Sequence, residues 1–270
     1  MKLLVTGGAG YIGSIVAKRL IGHGHEVTVL DDLSRGHRAA VPEDAAFEYV
    51  NLLDGPSLQR ALIGGYDGVL HFAALALVPE SVQHPERYWR TNVVGTLNLL
   101  DAMRTTGVRR LVFSSTCATY GEPDEVPIGE TTPTAPTNPY GASKLTVDRM
   151  IADEAAAHGL GAISLRYFNV AGASGHLGED HEPETHIIPL VLRAAAGRAW
   201  RHAQASAIIA SRSFSGSQPS SARTFSLEAT SWAGSPGRRG SSLTGISRPV
   251  TSRAMSITWR TEWPRPLPRL

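Results

Sequence analysis

Lys2-Leu-Leu-Val-Thr6 is a short apolar run of strand formers that leads straight into Gly7-Gly8-Ala9-Gly10-Tyr11-Ile12-Gly13. Helical spacing follows in Ser14-Ile-Val-Ala-Lys-Arg-Leu-Ile21, and a second apolar run, Glu26-Val-Thr-Val-Leu30, ends at Asp31. Strand, glycine-rich turn, helix, strand and acid in that order predict a parallel βαβ unit built around a dinucleotide. Gly7 and Gly10 permit a tight turn and a close backbone approach to a pyrophosphate, and Gly13 lets the helix pack closely. The helix N-terminus turns free N–H groups and a positive dipole end toward phosphate. Asp31, eighteen residues past Gly13, can accept the adenosine ribose hydroxyls. It would repel a 2′-phosphate, so NAD is expected rather than NADP. The other reading of such a glycine pattern is an ordinary strand–turn–helix.

Downstream, apolar runs alternate with helical patterns at intervals suited to more of the same unit. Strands are expected at 47–50, 68–72, 110–114 and 162–166, and helices at 56–62, 85–106 and 143–158. Pro123, Pro127, Pro133, Pro136 and Pro139 mark loops. The expected fold is α/β, a doubly wound parallel sheet with its ligand at the carboxyl ends of the strands.

Tyr140-Gly-Ala-Ser-Lys144 places a phenol and an ammonium at i and i+4, on one face if the segment is helical. The ammonium is expected to lower a phenol pKa that ordinarily lies near ~10, giving a base able to take a proton from a sugar or alcohol hydroxyl. Other candidates fall at strand ends: His71 and Phe72-Ala73-Ala74, Ser114-Ser-Thr116, and Tyr167-Phe168-Asn169. Each has a plainer reading as well. Ser114 to Thr116 fit a turn cap, Asn92 fits a helix cap or back-bond, and His71 fits a satisfied core histidine.

The 270 residues suffice for one large α/β domain, or a large one with a smaller companion. The lone Cys117 excludes an internal disulfide and suits a reducing cytosol, and no apolar run reaches membrane-spanning length. A cytoplasmic protein without a leader or membrane contact is expected, and no metal-ligand set is expected.

The chain resembles the extended short-chain dehydrogenase/reductases, and within them the UDP-glucose 4-epimerase family. The resemblance covers roughly residues 1–198. It rests on Thr6-Gly-Gly-Ala-Gly-Tyr-Ile-Gly13, His71-Phe-Ala-Ala74, Glu80-Ser-Val82, Asn92-Val-Val-Gly-Thr96, Phe113-Ser-Ser-Thr116, Tyr120-Gly121, Asn138-Pro-Tyr-Gly-Ala-Ser-Lys144, Arg166-Tyr-Phe-Asn-Val-Ala-Gly172, Gly178-Glu-Asp180 and His186-Ile-Ile-Pro189. It implies tightly bound NAD and a UDP-sugar substrate passing through a transient 4-keto sugar. Tyr140 would be the base at the sugar 4-hydroxyl, Lys144 would hold the phenolate and the nicotinamide ribose, and Thr116 would bond the same 4-oxygen. Asn169 would meet the diphosphate and Phe168 would border the sugar. Taken together, the expected cofactor residues are Gly7, Gly10, Tyr11, Ile12, Gly13, Asp31, Asp32, Asn51, Leu52, Phe72, Ala73, Ala74, Asn92, Ser114, Tyr140, Lys144 and Tyr167. The expected substrate residues are Thr116, Tyr140, Phe168 and Asn169.

Related 4,6-dehydratases carry an Asp-Glu pair after the active-site Thr, whereas Cys117-Ala118 follow Thr116, which disfavours elimination. Other departures bear on the cofactor. Leu75-Ala-Leu77 lacks the family's lysine, Pro79 replaces a glycine, and Asn51 stands where an Asp commonly meets the adenine. The resemblance also implies a homodimer formed through helices 85–106 and 143–158.

It stops near Gly197-Arg198. Residues 201–270 hold ten Arg, no Lys, two acids and fifteen Ser, a net charge of +8 that leaves −6 on the first 200 residues. Without sustained periodicity, residues 199–270 are expected to be a disordered tail or the product of a shifted reading frame. Its arginines fall in no recognisable motif, so no nucleic-acid partner is expected. The family's substrate clamp would lie in that part. This chain is therefore expected to bind NAD weakly and turn over slowly or not at all. Two alternatives remain: another NAD-dependent nucleotide-sugar epimerase or dehydratase, and a non-catalytic NAD-binding remnant.

Overall fold

The computed structural model describes residues 1–180, 188 and 190–192. Six strands, β1 (Lys2–Thr6), β2 (Glu26–Asp31), β3 (Ala46–Tyr49), β4 (Gly68–His71), β5 (Arg110–Thr116) and β6 (Gly161–Tyr167), form one sheet. Every pairing is parallel and the order is β3-β2-β1-β4-β5-β6. The chain thus winds outward from β1 in one direction, then returns and winds outward from β4 in the other. The crevice between β1 and β4 is where such sheets bind ligands.

Neighbouring strand residues explain the two-sided core. Leu4, Leu30 and Val69 belong to one buried cluster, while Val5, Val29 and the partly buried Leu70 belong to another across the sheet. Alternate side chains point to opposite faces, so a strand covered on both faces reads as a continuous apolar run. The helices α1 (Tyr11–Gly22), α2 (Gly55–Leu62), α3 (Val78–Gln83), α4 (Pro85–Tyr88), α5 (Gly95–Thr106) and α6 (Pro139–His158) supply those covers and connections.

Four helices differ from expectation: α1 starts at Tyr11, three residues before the expected Ser14, and α3 is a short helix where none was expected. The helix expected over 85–106 is interrupted: α4 ends at Tyr88 and Trp89–Val94 winds as a π-helix before α5 begins. The wide turn contains Asn92, whose carbonyl accepts the Thr96 hydroxyl at 2.6 Å. Side-chain competition for a helical carbonyl of this kind loosens the regular ladder.

The last helix, α6, starts four residues before the expected Ser143. Asn138 caps it by accepting the Gly141 N–H at 2.8 Å, and Pro139 occupies the first turn, where a missing N–H costs nothing. Tyr140 therefore sits in the first turn of α6 rather than in a loop. The domain boundary expected at 198/199, the tail expected over 199–270, and the expected motif 186–189 apart from Ile188 lie outside the described residues.

Candidate active site

Tyr140, Lys144 and Asp148 follow one another at i, i+4 and i+8 along α6, so a single face carries all three. Gly141 makes the approach possible: a Cβ there would come 2.5 Å from the Ala118 carbonyl oxygen. Its absence lets the start of α6 rest on the short turn Cys117–Thr119 at the end of β5. Thr116, only 7% exposed, caps that turn by accepting the Ala118 N–H at 3.2 Å. Its hydroxyl lies near enough to the Tyr140 phenol to favour the phenolate.

Lys144 is buried, and its ammonium donates to the Ser114 carbonyl at 2.8 Å and lies 4.7 Å above the Phe113 ring. Burial pushes it down to about 7, opposed by the Asp148 charge. Asp148 Oδ2 in turn accepts from Ser115 Oγ and Arg166 Nε, both at 3.1 Å.

Contrary to the expected lowering, the Tyr140 phenol is raised above its ordinary value. Burial is the main cause; the Thr116 hydroxyl opposes it and Cys117 adds to it. A phenolate loses hydration in this site, and the Lys144 head group is directed at the Ser114 carbonyl.

Asn92 is buried and fully engaged with the protein. Its side-chain oxygen accepts the Leu75 N–H at 2.8 Å, and its amide donates to the Leu75 carbonyl and to Ser143 Oγ, each at 3.0 Å. Ser143 Oγ donates to the Tyr140 carbonyl at 2.8 Å. The loop after β4 is thereby tied to the first turn of α6.

His71 has the plainer role noted above, as a core histidine with both ring nitrogens satisfied. The Thr96 hydroxyl already donates to the Asn92 carbonyl, so it accepts from Nε2–H at 2.9 Å, and Nδ1 accepts from the Thr6 hydroxyl at 2.6 Å. Burial, helped by the Lys144 charge, pushes the imidazole down to about 3 and keeps it neutral.

The residues of the first turn fit a dinucleotide. Helices α2 and α6 are capped by Asp54 and Asn138, whereas α1 has extended Gly10 at its N-cap, no side-chain cap and no acid in its first turn. Its leading N–H groups lack a side-chain acceptor. Gly13 packs so closely that a methyl there would come 2.2 Å from the Gly7 carbonyl oxygen, and Gly7 itself has φ +69° with Ala73 against it. Gly10 is different, since a methyl there would meet only the Gly7 oxygen at 3.3 Å. The space above it is open to a ligand.

Asp31, 8% exposed, accepts the Ala9 N–H at 3.0 Å and the Leu33 N–H at 2.8 Å. Each of its oxygens keeps a second lone pair for a ribose hydroxyl. Asp32 accepts Asn51 Nδ2 at 2.7 Å and the Ser34 N–H at 3.0 Å, so Asn51 fills its position as a donor to an acid.

Other expected residues are placed less directly. Ile12 lies partly buried in the first turn of α1. Leu52 is a core side chain packed on Gly95. Phe72 packs beneath β1 and β2, and its N–H donates to the Thr6 carbonyl at 3.0 Å, leading into the partly buried Ala73 and Ala74. Ser114 contributes its carbonyl, and Pro79 fits the first turn of α3. Tyr167 pairs with Thr116 in the sheet, so Phe168 and Asn169 emerge one step beyond Thr116, both exposed. The segment that follows returns across the strand ends: Tyr11 donates to the Gly172 carbonyl at 2.7 Å, and His37 lies 3.2 Å from the Asp180 carbonyl.

The sequence reading missed Ser143 and the backbone of Leu75 as members of the site. It also missed Asp148, although its i+4 spacing from Lys144 was a visible signal.

Residues 3–212 match the NAD dependent epimerase/dehydratase family. The chain is 60% identical over 199 residues to a UDP-glucose 4-epimerase of Streptomyces lividans, covering 73% of this chain and 60% of that protein. It is 59% identical over 201 residues to a UDP-glucose 4-epimerase of Corynebacterium glutamicum, again covering 73% and 60%. The crystal structure of UDP-glucose 4-epimerase from Brucella ovis in complex with NAD is similar at a TM-score of 0.71 and 49% identity, over 73% of this chain and 62% of that one. The chain spans about 60% of the length of the curated relatives it matches.

Proposed function

The chain belongs to the NAD dependent epimerase/dehydratase family, and on that premise we propose that it binds NAD and slowly interconverts UDP-glucose and UDP-galactose through a transient 4-keto sugar. The observation that carries this reading is the meeting of the Tyr140 phenol with the Thr116 hydroxyl on the α6 face that also bears Lys144. Gly7, Gly10 and Gly13 with the N-terminus of α1 would hold the pyrophosphate, Asp31 the adenosine ribose, and Lys144 the nicotinamide ribose. When bound, the oxidised nicotinamide supplies a positively charged hydride acceptor that can also return the hydride.

The chain's own residues do the rest. Thr116 orients the sugar 4-oxygen toward the phenol, and Tyr140 takes and returns its proton. Burial raises both the cost of the phenolate and the strength of any nearby positive charge that offsets it. The exposed Phe168 and Asn169 would border the sugar and diphosphate. Resemblance supports a homodimer through the α4–α5 stretch and α6, where Trp89 and Leu97 are exposed. The single free Cys117 supports a cytoplasmic setting.

The test is conversion of UDP-galactose to UDP-glucose by the 270-residue chain with added NAD. Conversion that is lost in Tyr140→Phe supports the proposal; equal conversion by Tyr140→Phe refutes the assignment of the base. A second reading, NAD binding without turnover, is favoured by the share of its relatives that the chain spans. A folded chain that binds NADH but converts nothing would establish it.

A further inference from the structure

Arg35, on the loop after β2, places Nη2 3.0 and 3.1 Å from the two carboxylate oxygens of Glu80, in α3 after β4. β1 lies between β2 and β4 in the sheet. This ion pair therefore spans the carboxyl end of β1, across the crevice where the glycine-rich turn faces a ligand.

Both ends are anchored. On the Arg35 side, a methyl on Gly36 would come 2.8 Å from the Ala9 carbonyl carbon, and the His37 N–H donates to the Ala9 carbonyl at 2.9 Å, so the loop is seated on the glycine-rich turn. On the other side, the Glu80 side chain is only 17% exposed, pairs also with Arg87, and accepts the Tyr88 hydroxyl at 3.0 Å. The buried Tyr88 ring stands edge-on to Tyr140 with centroids 6.3 Å apart.

We propose that Arg35 and Glu80 form a clasp across the cofactor crevice, positioning residues that hold the Asp31 loop against the Tyr88–Tyr140 side and slow release of the dinucleotide. The clasp rests on the NAD-binding proposal above. Arg35 is half exposed, which limits the effect to about two- to five-fold in release rate.

The experiment is release of NADH from the full chain, followed by its fluorescence on rapid mixing with excess NAD, for the parent, Arg35→Ala, Arg35→Lys, Glu80→Gln and the Arg35→Ala/Glu80→Gln pair. Faster release in Arg35→Ala and Glu80→Gln, no further gain in the double variant, and recovery in Arg35→Lys are expected. Added salt should speed release from the parent and leave Arg35→Ala unchanged. Slower release in Glu80→Gln would show that the freed guanidinium binds the cofactor directly, which overturns the clasp. So would equal release rates across the variants at matched thermal stability. A folded parent chain that binds no NADH overturns the NAD-binding proposal itself, and the clasp with it.

Discussion

Asn92→Ala should cost far more stability than its single amide suggests. Asn92 is 2% exposed, and its removal leaves the N–H and carbonyl of Leu75 and one acceptor site on Ser143 without their partner. Each partly buried backbone group left unpaired costs about 1–3 kcal/mol. Ser143 keeps its bond to the Tyr140 carbonyl and adds little. The expected loss is about 3–4 kcal/mol, with the lower figure applying if water enters the vacated space. At roughly 2–4 °C per kcal/mol for a domain of this size, the melting temperature should fall by about 6–15 °C. Ser143→Ala, which removes only one partner of Asn92, should lose about 1 kcal/mol. Denaturant titration of both variants, followed by circular dichroism, checks the ordering. An Asn92→Ala loss below about 1 kcal/mol, or one smaller than that of Ser143→Ala, would refute the assignment of Asn92 as the tie between the β4 loop and α6.

His71 is held neutral down to about 3 against an ordinary 6.5, so the unfolded chain takes up a proton first as pH falls. Stability should therefore decline between those two values, with a shallower decline in His71→Asn, read as urea midpoints against pH. Lys144 has the same sign in another window. With a folded value of about 7 against an ordinary 10.5, ligand-free stability should rise with pH across that interval by at most about 5 kcal/mol, and Lys144→Met should remove the rise. Gly13→Ala would press a methyl onto the Gly7 backbone at 2.2 Å, where no side-chain tip can yield. It should lower the melting temperature and weaken NADH binding together, whereas an unchanged affinity would show that the turn tolerates the shift.

The sheet was legible because its information is local. Leu4 and Val5 are both apolar although they face opposite sides, which is how a strand covered on both faces reads. The expected strands differ from the observed ones by only a residue or two at their ends, as at 47–50 against Ala46–Tyr49. Tyr140 with Lys144, the glycine-rich turn and Asp31 were also readable, each from short spacing.

Less was legible where distant residues decide. Asn92 meets Leu75 and Ser143 from 17 and 51 positions away, and Arg35 meets Glu80 from 45. Pro139 reads locally as a loop marker, yet with Asn138 before it the residue opens α6. The direction of the Tyr140 shift was misread for a related reason. The i+4 spacing reports that Lys144 is near but not how deeply the phenol is buried, and burial dominates.

The proposed chemistry is confined to C4 of the sugar, with Tyr140 handling the proton. The most direct test incubates the full chain and NAD with UDP-galactose carrying deuterium at C4, in ordinary water, and weighs the UDP-glucose formed. The expected product keeps the deuterium at C4, and Tyr140→Phe forms none of it. Deuterium found at C6, lost to solvent or left on the cofactor would contradict same-carbon return, and a folded, NADH-binding chain that forms no UDP-glucose would contradict the claim altogether.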